Sequence, residues 1–214
     1  MKKAKNTLIV TLVALAMVFT TACGGSSFDA SGYITSFMDA LTKGEVTEYA
    51  TITGQTEEEA GQEYQSFLDS MREAFAEEGV TDETLDKIVD VYVQVLKQAK
   101  YTVHEAEKTE EGYDVTVDIE PITGLYDGLV DEVTENMDAA VESGELTSDN
   151  LYDWIYSNMA DKMVTRLESL GYGEAQSITI HLVKQDKTYE IEDVDSVSEQ
   201  IGTLLVDQSG ISQE

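Results

Sequence analysis

The sequence predicts an α+β domain whose helices pack on one face of a four-stranded antiparallel sheet made of two hairpins, in the order ααα-ββ-αα-ββ-α. Three observations carry this. Apolar residues recur every three or four positions through most of the chain, but every second position in two stretches near 101–120 and 178–191. The single proline, Pro121, closes the first alternating stretch, where a residue without an amide hydrogen ends a strand ladder. Hydrophobic residues make up 42% of 214, enough to enclose a core despite heavy charge.

The first helix is expected over 29–43, where Tyr33, Ile34, Phe37, Met38 and Leu41 share a face, with Gly44 as its stop and a short turn over 46–52. Thr56 and Glu59 form a capping box that opens the second, whose inward stripe is Ala60, Tyr64, Phe67, Leu68, Met71 and Phe75. The third starts at Thr81 or Asp82 and buries Leu85, Ile88, Val89, Tyr92, Val93 and Leu96.

The first hairpin pairs Tyr101 and Val103 with Tyr113, Val115, Val117 and Ile119 across a turn at Glu110-Glu111-Gly112. A fourth helix is marked by Leu125, Leu129, Val130, Val133, Met137 and Val141. A fifth, capped by Ser148, has Leu151, Trp154, Ile155, Met159, Met163, Leu167 and Leu170 inward. The second hairpin sets Ile178, Ile180 and Leu182 against Tyr189 and Ile191. The last helix begins at Ser196, with Glu199 completing a capping box. Each hairpin alone is marginal. Joined edge to edge they present one apolar face, and the helices cover it as a second layer.

The amino terminus has a separate logic. Lys2, Lys3 and Lys5 form a positive patch, and Leu8 to Phe19 is an apolar run of twelve broken only by Thr11. A spanning helix needs ~20 apolar residues, whereas a signal-peptide core needs about this many. The run ends in Thr20-Thr21-Ala22-Cys23-Gly24-Gly25, and Cys23 is the only cysteine. Small residues before a cysteine, then Gly-Gly, resemble the lipobox of bacterial lipoproteins, with Thr20 standing where lipoboxes usually carry Leu. The resemblance implies cleavage after Ala22, a diacylglyceryl group on the Cys23 sulfur, and palmitate-like acyl chains as the membrane anchor. Thr20 and Ala22 also suit the general signal peptidase, which would leave Cys23 a free thiol.

The reading divides the chain into a signal peptide (1–22), a lipidated cysteine with a Gly/Ser linker (23–27) and one domain (28–214) on the extracellular face of the cell membrane. The four linker residues span only ~11 Å as a random coil, so the domain is expected close to the headgroups. The chain is similar in this respect to Gram-positive surface lipoproteins. Helices preceding an antiparallel sheet also resemble, in element order alone, the cystatin-like and NTF2-like domains; the two helices between the hairpins depart from that order.

The formal charge is −30, and losing Lys2, Lys3 and Lys5 with the leader leaves 10 basic residues against 43 acidic, or −33. Such a surface repels phosphate backbones, so nucleic acid is excluded as a partner. One cysteine rules out an intrachain disulfide, and with two histidines it rules out a Cys/His zinc cluster. Nucleophile-elbow, phosphate-loop and HExxH patterns are missing, and no cofactor is called for.

Alternation places His104 with Thr102, and His181 with Thr179, on the polar side of their strands, together with Asp114, Thr116, Asp118 and Glu190. If the hairpins share a sheet, His104, His181, Asp114 and Asp118 are the candidates for a divalent metal or for acid–base work. The plainer expectation is a solvated sheet face. The acidic stretch Glu190, Glu192, Asp193 and Asp195 lacks the glycine and closing glutamate of an EF-hand and reads as a strand end leading into a helix cap.

The function expected is therefore a membrane-anchored, non-catalytic binding or interaction module for a small-molecule or protein ligand. A metal-dependent extracellular hydrolase using the polar sheet face, and a transporter-associated solute-binding protein, are the alternatives.

Overall fold

The computed structural model describes residues 28–77, 79–186 and 188–210; the leader, Cys23 and the linker lie outside them. Seven helices and seven strands follow in chain order. They are α1 (Ala30–Lys43), α2 (Val46–Thr53), α3 (Glu57–Ala74) and α4 (Asp82–Leu96), then β1 (Lys100–Val103), β2 (Glu107–Lys108), β3 (Gly112–Glu120) and β4 (Ile122–Thr123). After these come α5 (Leu129–Ser143), α6 (Leu151–Arg166), β5 (Gly171–Tyr172), β6 (Gln176–Gln185), β7 (Thr188–Ile191) and α7 (Val194–Leu205), with a 3₁₀ turn at Leu167–Ser169. The fold is α+β, with the expected order of helices and hairpins.

The main sheet runs β1-β3-β6-β7, and β2 also pairs with β3. Because β1 and β2 lie along the same side of β3, they act as one edge strand interrupted at 104–106. The two hairpins meet where β3 pairs antiparallel with β6, from Gly112↔Val183 to Ile119↔Gln176. That junction was not encoded in either hairpin alone. Gly112 is required there, since a Cβ at this position would lie 1.8 Å from the Leu182 carbonyl oxygen.

The inner face is dry. Val115, Val117 and Ile119 are fully buried, and Ile178, Ile180 and Leu182 nearly so. Alternation with exposed polar neighbours fixes this register, because a one-residue slip would put every valine in water. Helices α1 and α7 lie on β3, and α4 packs on α1 and α6. The helical side is thus two deep, not a single covering layer.

Local chemistry sets the helix ends. Asp29 accepts the Gly32 amide at 2.8 Å to open α1. Gly44, at φ +71°, closes it by turning left-handed, a conformation costly for residues with a Cβ. The Thr56–Glu59 capping box forms as its sequence specifies. The turn over 46–52 is a full helix, α2.

Three expectations are corrected. Helix α5 starts at Leu129, not Leu125, and buries Leu129, Val133 and Ala140, so Val141 falls about 100° off the stripe and is 58% exposed. Helix α6 begins after Asn150, not Ser148; Asn150 Oδ1 instead accepts the Thr147 amide and hydroxyl (2.7 and 2.9 Å). Helix α7 begins earlier than expected, capped by Asp193 through the Ser196 amide at 3.1 Å. Trp154 is buried as expected, with Met159 and Met163.

Candidate functional site: the polar sheet face and an end groove

The outer face of the main sheet carries the histidine and aspartate candidates together. His104 Nε2–H donates to Asp118 Oδ2 (2.7 Å), and the Ser177 hydroxyl donates to Asp118 Oδ1 (2.6 Å). These bonds, the Ser177 one first, hold the Asp118 carboxyl below the ordinary aspartate range. His181 Nδ1 lies 2.8 Å from Asp114 Oδ1, its direct register partner.

The two pairs remain separate. His104 flanks Thr116 on one side of β3, and His181 faces Asp114 from the other. Two interstrand spacings put their backbones roughly 10 Å apart laterally, and each imidazole is engaged with its own aspartate. Among the described residues no three metal-ligating side chains gather. Of the acidic stretch 190–195, Asp193 is engaged as a helix cap.

The Asp118 group also differs from a nucleophilic relay. A serine activated by histidine must hydrogen-bond the imidazole, whose other nitrogen is held by the carboxylate. Here the carboxylate stands between the other two, and Ser177 directs its proton to Asp118. The face offers paired, half-exposed hydrogen-bonding groups and no primed hydroxyl.

A concavity lies elsewhere. A second, two-stranded sheet, β4 with β5, sits beyond the end of β3, and Ile122 also bridges Val206 in parallel. The Gly173 amide donates to Pro121 O (2.8 Å), and the Asp207 amide to Ile122 O (2.9 Å), locking β4 between its neighbours. Beside this junction runs an open groove of about 660 Å³. Pro121, Ala175, Leu204 and Val206 supply apolar surface, and Glu174 and Asp207 supply charge. None of its described lining residues is basic. Asp207 is held in place by the Ser209 amide, which its Oδ1 accepts at 2.9 Å.

Sequence reasoning missed this groove. The local signals were Pro121 and the Gly171-Tyr172-Gly173 run, but the walls come from segments some eighty residues apart. Tyr92 and Tyr126, whose hydroxyls meet at 3.0 Å, line a small cavity that shares Val206 and Gln208 with the groove. Burial pushes the Tyr126 hydroxyl up to about 12 and that of Tyr92 well above its ordinary value.

No described helix is long and apolar enough to cross a membrane. No family model matches the sequence, and no curated protein does. Among solved structures the chain is similar to ycdA of Bacillus subtilis subsp. subtilis str. 168, a protein assigned as a lipoprotein, with a TM-score of 0.57 and 15% identity. The match covers 84% of this chain and 56% of that one, so this chain spans little more than half the length of its neighbour. At that identity the likeness is one of fold.

Proposed function

We propose that this chain is an exported protein, lipid-anchored through Cys23, whose domain works outside the cell membrane as a non-catalytic binding module. The observation that carries the reading is the order of features in the first 28 residues. A positive patch, a twelve-residue apolar run, small residues, the only cysteine and a four-residue linker lead directly to Phe28, the first described residue, which stacks on Tyr189. The fold likeness to a protein assigned as a lipoprotein agrees with it.

The binding surface in this reading is the end groove. Its volume suits a small organic ligand, and it combines apolar patches with a few polar groups. Two carboxylates without a basic neighbour in the lining favour a cation with an apolar body. The separation of the two His–Asp pairs, and the serine turned toward its aspartate, speak for binding over hydrolysis.

The test is Cys23→Ala in the native host. The wild-type protein should fractionate with membranes and give an amino-terminal peptide bearing a diacylglyceryl group; the variant should appear in the medium. Membrane retention of the variant, or an unmodified Cys23 in the wild type, overturns the reading.

A further inference from the structure

The domain has two distinct poles. At one, Phe28 stacks on Tyr189 (ring centroids 4.6 Å apart) and leans on Tyr33 and Tyr113 (5.7 and 5.9 Å). This is where β3 begins and where β6 turns into β7. At the other, β3 runs out at Glu120 and the groove opens beside Pro121 and Gln176. Seven strand steps from Tyr113 to Glu120 separate them by about 24 Å.

We infer that the domain stands on the bilayer by its Phe28 pole and presents the groove on the far side, facing the surrounding medium. The inference rests on the lipid anchor proposed above and adds to it an orientation and a direction of ligand approach.

Chain length supplies the first argument. From Cys23 to Phe28 the backbone spans at most ~18 Å when fully extended. Whatever the linker does, the Phe28 pole stays within that distance of the acylated sulfur, and the tether is shorter than the sheet is long. The groove pole cannot be the attached end.

Charge supplies the second. A tethered body could still lie on its side, but the flanks are acidic. Helix α5 carries no basic residue and presents Asp131, Glu135, Asp138 and Glu142, while its Glu132 pairs with Arg166 and Lys162 of α6. The Phe28 pole is net acidic as well, with Lys108 and Lys184 among Asp29, Glu107, Glu110, Glu111, Asp186 and Glu190. Against anionic headgroups, repulsion acts over a Debye length of ~8 Å at physiological salt. Lying down brings acidic surface inside that range along the whole length of the domain, and standing up brings in only one end.

The experiment uses the protein purified from membranes with its lipid, reconstituted in nanodiscs containing phosphatidylglycerol and a gadolinium-chelate headgroup lipid. Methyl resonances are read at both poles. Val183 and Ile191 should lose their signals, and Leu204 and Val206 should keep theirs. Inserting a long Gly/Ser stretch between Ser27 and Phe28 should flatten this contrast. An acylated protein with equal losses at both poles, or greater loss at Leu204, overturns the orientation alone. A purified protein whose amino-terminal mass lacks the lipid overturns the anchor itself.

Discussion

Phe28 lies flat against Tyr189, 4.6 Å between ring centroids, so the chain's first described residue is pinned to its last main-sheet strand. From Phe28 onward the described chain is joined to the core through the contacts of this ring with Tyr33, Tyr113 and Tyr189.

Phe28→Ala should remove part of that clamp. The ring is half-buried, so the loss is expected near 1–2 kcal/mol, below that of a fully buried phenylalanine. In a domain this size that lowers Tm by about 5 °C. Thermal unfolding followed by far-UV circular dichroism measures it, and an unchanged Tm would show that the stack contributes nothing.

Asp153 caps a helix that is not its own. Standing on α6, it accepts both the Thr81 amide and the Thr81 hydroxyl at 2.8 Å, tying the start of α4 to a residue 72 positions away. Burial pushes the Asp153 carboxyl up, but the bonds from Thr81 and Thr84 together outweigh it and hold it below its ordinary value. Asp153→Ala should cost about 1–2 kcal/mol at neutral pH, the range of a lost cap. A depressed carboxyl stabilises above its unfolded value and loses that contribution as pH falls through the folded one. The gap between variant and wild type in urea titrations should therefore shrink below the ordinary aspartate value of 3.8.

Glu63 has the opposite sign. Burial raises its carboxyl above the ordinary 4.5, although the Gln55 side-chain amide donates to Oε1 at 2.7 Å. Stability attached to this group is lost as pH rises from 4.5 through the folded value, because only the unfolded chain ionises freely. Glu63→Gln keeps an acceptor for Gln55 and removes the charge. It should raise Tm by about 1–2 °C at pH 7, as a few tenths of a kcal/mol do in a domain of this size. At pH 4 it should leave Tm unchanged. A lower Tm at pH 7 would contradict the assignment.

The groove should take 4-phenylbutylamine, which joins an ammonium to an apolar body, in preference to the uncharged 4-phenylbutanol. Glu174→Gln and Asp207→Asn should each weaken binding about fivefold, since an exposed ion pair contributes up to ~1 kcal/mol. Titration monitored at the Leu204 and Val206 methyls reads this directly. Shifts confined to residues outside the groove would refute the site.

Much of the fold was legible along the chain because the information is local. The capping box at Thr56, the left-handed stop at Gly44 and the strict alternation from Tyr113 to Ile119 each act within a few residues, and each appears as written. Where the reading slipped, a neighbour outside the segment decided. Val141 keeps helical spacing with Val133 and Met137, yet Ala140 is the residue that turns inward.

The candidate site was legible by half. Period two was enough to put His104, His181, Asp114 and Asp118 on one face, since alternation fixes the side of a strand on which a residue stands. It could not say which histidine meets which aspartate. That depends on the register of β3 against β6, which pairs Asp114 with His181 and brings Ser177 to Asp118. The groove was invisible, because Pro121, Glu174 and Asp207 belong to three segments that only the packed domain assembles.

By itself, then, the sequence determined the helical or strand type of the long elements and the face that most of their residues occupy. Both are properties of periodicity within a short window. Only the tertiary structure decided which strands of the two hairpins meet, that α6 ties down the start of α4, and that the groove opens at the end of β3 away from Phe28. Those outcomes follow from burying apolar faces against one another across long stretches of chain, a free energy no local pattern contains.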